Sequence, residues 1–296
     1  MTIDKWIKLN THDLSGQTVA ITGATGGIGI QVCKILSSLN ANLILIDRNE
    51  DLDVALKNEL LQINPNISVN FVHVDMEDFQ SMQECVKQLS NFNKIDVLIL
   101  NAGAYAIPRK ITNIGYDNVF QINFVSPYFL VKSLLPILRK SNNPKVVLTS
   151  SIAHNYSKID ERDIDFRTRK KSNLIYGNSK RFITFSLMEL FEQNKDISLS
   201  IVHPGITFTK ITNHYPKFIY AIIKYPMKMI FISNKKASLN IIKGVFDKTD
   251  YMEWIGPSAS NIWGYPKKKK LKTCSKEESA KIFETAENIY KNLEKL

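Results

Sequence analysis

The stretch TVAITGATGGIG, residues 18–29, decides the fold. Residues 18–22 are apolar or β-branched without alternation, the pattern of a strand buried on both faces of a parallel sheet. Glycines at 23, 27 and 29 follow at once, and a helix-like segment follows them. Glycines there let the backbone turn sharply and let a phosphate approach the helix N-terminus, where free N–H groups and the helix dipole favour negative charge. A glycine-rich turn alone is a weak signal. One that leaves the first strand and opens a helix is specific when a parallel α/β pattern surrounds it.

The chain supplies that pattern. Strand-like runs recur at NLILID (42–47), SVNFVHVD (68–75), DVLILNAG (96–103), KVVLTSS (145–151) and LSIVHPG (199–205). Helical periodicity lies between them, as in Gly29–Leu39 and Phe79–Ser90. Alternation of this kind predicts an α/β fold with a doubly wound parallel sheet and right-handed crossovers. No repeat or low-complexity linker interrupts it, so a single domain over 1–296 is expected.

Composition sets bounds. The 296 residues are 44% hydrophobic and 23% charged, ordinary for a globular chain. The first 17 residues carry no continuous apolar core, so no signal peptide is expected. Cys33, Cys85 and Cys274 are far apart and odd in number, which argues against a disulfide framework or zinc site and fits a reduced, cytoplasmic setting. His12, His73, His154, His203 and His214 show no ligand spacing, so no metal is expected. The net charge of +11 is uneven: residues 210–296 carry +9 and residues 1–209 carry +2.

The second strand ends in Asp47-Arg48, 18 residues beyond Gly29. A carboxylate there accepts from the ribose hydroxyls of NAD and repels a 2′-phosphate, whereas a neighbouring arginine accommodates the phosphate of NADP. Both are present. NAD is favoured, because one exposed arginine offsets little of a repulsion at the ribose, with NADP as the alternative. Asp75, ending the third strand, is placed to accept from an adenine amino group or to cap its loop.

LIYGNSKRF, residues 174–182, puts Tyr176 four residues before Lys180. On a helix the two share a face, and a close ammonium lowers a phenol's pKa from its usual value near 10. The spacing alone is common on ordinary helices.

These segments together resemble the short-chain dehydrogenases/reductases over roughly residues 15–260. The family's T-G-x-x-x-G-x-G matches Thr22 to Gly29, with Gly23, Thr25, Gly27, Ile28 and Gly29 at cofactor positions. Its N-A-G matches Asn101-Ala102-Gly103, and its helix asparagine matches Asn123. The serine ending strand five matches Ser151, Y-x-x-x-K matches Tyr176 and Lys180, and P-G matches Pro204-Gly205 with Thr209 downstream. SSIAH and VHPG look like the retinol-dehydrogenase-like subgroup. Two departures stand out: Leu100 replaces the first Asn of N-N-A-G, and Thr207 replaces an aliphatic residue near the nicotinamide carboxamide.

The resemblance implies a Rossmann-type sheet with a C-terminal helical substrate lid, and a hydride transfer between NAD or NADP and an alcohol or carbonyl. It assigns Tyr176 as general acid/base, Lys180 to lower its pKa and bind the nicotinamide ribose, Ser151 to hold the substrate oxygen, and Asn123 to hold a relay water. A non-catalytic cofactor-binding sensor is the rival class.

Within KIDERDIDFRTRKKSN, before Tyr176, Arg167, Arg169, Lys170 and Lys171 either meet an anionic substrate or are solvated. Residues 210–250 read as the lid. Lys217, Lys224, Lys228 and Lys235 form a charged stripe on an otherwise apolar segment, which suits a bulky hydrophobic substrate or an anionic membrane surface. Lysines and Pro226 exclude a transmembrane span. Residues 260–296 read as a basic extension, with Pro266–Lys270 as a solvated turn before a last helix at about Ser275–Leu296. A peripheral-membrane protein is a third class, homo-oligomer formation stays open, and no nucleic-acid-binding motif accompanies the charge.

Overall fold

Eight strands form one sheet: β1 (Thr18–Thr22), β2 (Asn42–Asp47), β3 (Val69–His73), β4 (Val97–Leu100), β5 (Lys145–Thr149), β6 (Ser198–Val202), β7 (Glu253–Ala259) and β8 (Trp263–Lys270). The computed structural model describes residues 1–207 and 232–296. The strand order is β3-β2-β1-β4-β5-β6-β7-β8, parallel except for the antiparallel edge strand β8. The order reverses between β1 and β4, and the crevice at such a switch point is where ligands bind in open α/β sheets.

Side chains alternate across the sheet, as a strand's period of two requires. Val19, Ile21, Leu43, Leu45, Val97 and Ile99 enter one core, and Ala20, Ile44, Ile46, Leu98 and Leu100 enter the other. The first core lies under α1 (Ile3–Asn10), α2 (Gly27–Ser38), α3 (Glu50–Ile63) and α8 (Asn234–Phe246). The second lies under α4 (Phe79–Ser90), α6 (Ser126–Leu138), α7 (Ser172–Gln193) and α9 (Lys276–Leu293). Helix α6 is entered through a short turn, α5 (Asn118–Phe120), and a π-helical turn, Gln121–Val125.

All six strands read from the sequence are present. The C-terminal third differs from its sequence reading. Lys267–Lys270 are not a solvated turn but half of β8, paired with Glu253–Gly256. Helix α8, inside the stretch read as lid, packs on α2 and the sheet. Residues 208–231, which include Thr209, Lys217, Lys224 and Lys228, lie outside the described residues. No described helix is long and apolar enough to cross a membrane.

Asp53 of α3 is 1% exposed, and neither carboxylate oxygen has a partner among the described residues. Burial, and then the charge of Asp47, push its pKa up to about 7. Between pH 4 and 7 the unfolded chain ionises this group while the folded chain keeps its proton, so stability falls as pH rises through that window. Asp53→Asn is therefore expected to melt higher than the wild type at pH 8, with the gap closing near pH 4. Equal melting temperatures at both pH values would contradict this.

Candidate active site

The site forms where β1 and β4 end. Gly23 has φ +66°, and a Cβ built on it would lie 2.9 Å from Ala102 Cα. One on Gly29 would lie 2.2 Å from the Gly23 carbonyl oxygen. Only glycine fits either place, so the loop passes close beneath the start of α2 and leaves its N–H groups facing the crevice. Thr22 Oγ1 accepts the N–H groups of Asn101 and Ala102, both at 3.0 Å. Asn101 Nδ2 donates back to the Thr22 and Gly23 carbonyls at 3.2 and 3.0 Å. Leu100 spends its side chain in the core beneath this lacing.

On the adenosine side, Asp47 Oδ2 accepts from Thr25 N–H at 3.0 Å and Thr25 Oγ1 at 2.6 Å, and Oδ1 accepts from Arg48 N–H at 2.8 Å. The carboxylate is half-buried and Arg48 is exposed. Asp75 Oδ1 accepts from Glu77 N–H, closing its loop. The glycine cradle, the helix start and these carboxylates fit a dinucleotide.

Gly205, at φ +89°, sits against Ile232, Ile262 and Pro257. Thr207 bridges to Ile232, so the chain beyond Pro204-Gly205 returns to the sheet end.

The reactive side is built by α7. Lys180 is 4% exposed, and its Nζ donates to the Thr149 carbonyl at 3.0 Å. A Cβ built on Gly103 would lie 3.5 Å from Lys180 Nζ and 2.8 Å from Asn123 Oδ1, so the three groups converge. Asn123 Oδ1 accepts from Ala104 N–H at 3.0 Å, and its Nδ2 donates to the Ala104 and Val119 carbonyls, each at 2.8 Å. The π turn carries Asn123 into that position.

Lys180 Nζ lies 5.8 Å from the Tyr176 ring centroid. Burial pushes the Tyr176 phenol up to about 12, against the lowering effect of its hydrogen bond with Ser151. Burial also pulls Lys180 down to about 8. The phenol thus stands above its ordinary value, not below it as the spacing alone predicts, because desolvation outweighs the lowering effect of Ser151.

The Ser151–Tyr176 meeting depends on a residue that the motif reading passed over. Ser151 opens a 3-10 turn, Ile152–Asn155, and its Oγ accepts from Ala153 N–H at 3.2 Å. Helix α7 lies directly on this turn: a Cβ on Gly177 would stand 2.5 Å from the Ala153 carbonyl oxygen. A glycine directly after the tyrosine, inside a helix where glycine is costly, is the signal that was available.

Of the basic residues before α7, Arg167 pairs with buried Asp165 at 2.8 Å, and Arg169 pairs with Asp160 at 2.5 Å. Arg109, paired with Asp117, also donates to the carbonyls of Phe166, Arg167 and Arg169. The segment is laced to itself, while Lys170 and Lys171 stay exposed. Cys33, Cys85 and Cys274 are buried thiols, and no cluster of metal ligands occurs among the described residues.

The family model for short chain dehydrogenase matches residues 17–218, and the chain belongs to that family. It is 30% identical to Retinol dehydrogenase 13 of Homo sapiens over 205 residues, 68% of this chain and 62% of that relative's length. A structure of an uncharacterized protein from Mycobacterium paratuberculosis superposes with a TM-score of 0.73 over 96% of both chains at 20% identity. The Pseudomonas aeruginosa RhlG/NADP active-site complex gives 0.61 over 79% of this chain and 91% of its own, also at 20% identity. These two structures share the fold.

Gly177→Ala tests the close approach. In an ordinary helix interior the change gains up to about 1 kcal/mol. Here the methyl meets a backbone carbonyl, and a loss of about 1–3 kcal/mol is expected, seen as a lower melting temperature. A variant that melts higher would show that the turn yields freely.

Proposed function

We propose that the chain is a nicotinamide-dependent dehydrogenase/reductase acting on a hydrophobic alcohol or carbonyl compound. The observation that carries this is the meeting of Ser151, Tyr176, Lys180 and Asn123 at the strand ends beside the glycine cradle. Bound there, a nicotinamide would supply the hydride donor or acceptor and, when oxidised, a positive charge that lowers the phenol's pKa. Residues Gly23 to Gly29 would hold its phosphates, Asp47 and Asp75 the adenosine, and Lys180 the nearer ribose.

The protein's own task is to hold oxygen and move a proton. Tyr176 Oη gives its proton to a carbonyl oxygen in reduction, or takes one from an alcohol in oxidation. Ser151 Oγ donates to the same oxygen and stabilises charge that develops on it. Lys180, desolvated yet bonded to a carbonyl, keeps a positive charge near the phenolate, and Asn123 fixes the Gly103–Ala104 backbone against it. A relay water at Asn123 would return the proton to solvent.

A hydrophobic substrate is supported by the walls. Tyr176 packs with Leu174 and Ile107 against buried Val119, Phe166 and Ile175. Tyr105 lies edge-on to Tyr176 with ring centroids 5.1 Å apart. Contact with a membrane through the basic lid rests on residues outside the described ones and forms no part of this proposal.

NAD is the cofactor favoured, because the half-buried Asp47 carboxylate at the end of β2 would repel a 2′-phosphate while Arg48 is exposed. Fluorescence titration should show NADH binding more tightly than NADPH. A preference for NADPH of about tenfold or more, roughly 1.4 kcal/mol, would overturn that choice. Tyr176→Phe should keep cofactor affinity and lose turnover across an alcohol and ketone panel. Retention of more than about a tenth of wild-type kcat would remove Tyr176 as the proton donor.

A further inference from the structure

Arg181 is the bulkiest fully enclosed side chain of the described residues, 2% exposed, and it directly follows Lys180 in α7. Its Nε and Nη2 donate to the two carboxylate oxygens of Glu278, at 2.8 and 2.6 Å. Nη1 donates to the His154 carbonyl at 3.0 Å, and Nη2 also donates to the Thr273 carbonyl at 2.8 Å. The Phe185 ring lies against the guanidinium, 5.3 Å from Cζ to the centroid.

His154 completes a ring of contacts. Its Nδ1 lies 2.5 Å from the Ser151 carbonyl oxygen, and its Nε2 lies 3.0 Å from Thr273 Oγ1. Trp254 and Phe185 meet the imidazole edge-on. Burial pulls its pKa down to about 4, so the ring is neutral at physiological pH. A carbonyl can only accept; therefore Nδ1 carries the proton, and Nε2 accepts from the Thr273 hydroxyl.

The turn that presents Ser151 is thus held at both ends. The last helix is already anchored to this layer by Ile282, Ala286, Ile289 and Leu293 in the core and by Ser279 Oγ donating to Glu189 of α7. The bond from Arg181 to the His154 carbonyl, and the link through His154 to the Ser151 carbonyl, add nothing to that anchoring; they tie down the turn. The turn's hydrogen bond from outside α7 comes from the Thr273 hydroxyl. Arg181, which holds its other side, is itself set by the Thr273 carbonyl and Glu278, almost a hundred residues further along the chain.

We propose that Arg181 and His154, with Thr273 and Glu278, form a positioning device that fixes Ser151 against Tyr176, making the junction between β8 and α9 a working part of the active site. None of the four touches substrate; each acts through Ser151. The inference rests on the dehydrogenase reading for its effect on turnover, but its effect on the turn stands apart from that reading.

The test uses the full chain and the variants Arg181→Met, Arg181→Lys, Glu278→Gln and Thr273→Val. Hydrogen–deuterium exchange over residues 150–157 reads the turn, NADH titration reads the cofactor site, and the pH profile of kcat for alcohol oxidation reads Tyr176. The groups facing Tyr176 are Ser151, Tyr105, Tyr156 and Lys180. Because the Ser151 hydrogen bond lowers the phenol's pKa, a displaced serine moves the rising limb of the profile to higher pH.

Arg181→Met and Thr273→Val should exchange faster over 150–157, lose kcat by about tenfold or more, and shift the limb, with NADH affinity within about twofold of wild type. Arg181→Lys, which keeps the charge but not the fork, should recover part of each effect. Unchanged exchange over 150–157 would overturn the proposal, as would faster exchange with an unmoved pH limb and kcat. If Arg181→Met does not fold, Thr273→Val decides, since it removes only one hydroxyl. A wild-type chain that turned over no alcohol or ketone would sink the dehydrogenase reading, while the exchange result would still judge the turn.

Discussion

The Thr22 hydroxyl is the point on which the rest of the site depends. One oxygen receives two backbone N–H groups from the end of β4, and the Asn101 amide returns two bonds to the end of β1. These bonds fix the mouth of the crevice where the sheet changes direction. The glycine loop, with carbonyls only a methyl's width from its neighbours, can hold its path only while that mouth is rigid. Lys180 and Asn123 then approach Gly103, the residue that follows the laced pair. The glycine loop and the Lys180–Asn123 pair are thus both referred to the short stretch that follows β4.

Burial does more than packing here. It neutralises two histidines near the site: His154 is pulled down to about 4, and His203, stacked on Trp254, to about 3. It also raises Tyr176 and lowers Lys180, moving both away from their ordinary values. A dry environment shifts each of these groups toward its uncharged form.

Much of this was legible in the sequence, for identifiable reasons. The central strands announce themselves because both faces are buried, which leaves near-continuous apolar runs. The edge strand β3, with Asn70 and His73 exposed, keeps Val69 and Val72 buried. The glycine motif is legible because only glycine satisfies those approaches. Strands β7 and β8 were not legible. Glu253–Ala259 contains Gly256 and Pro257, and Trp263–Lys270 ends in four lysines, features of loops that an edge ribbon tolerates. Helix α1 was missed because it is short and has a single buried side chain, Trp6. The direction of the Tyr176 shift was misjudged because i,i+4 spacing reports proximity but not desolvation. Nothing in the sequence singles out Arg181, since its partners are set by folding across almost a hundred residues.

The last helix carries a consequence for association. Ile282, Ala286, Ile289 and Leu293 of α9 join the core formed by α6 and α7. Glu287 reaches Tyr128 Oη and Lys132 Nζ of α6. The outer flank of the helix that bears Tyr176 and Lys180 is therefore already occupied by the chain's own C-terminus. A second copy cannot dock helix-to-helix there without first peeling α9 away, and that would strip Glu278 from Arg181.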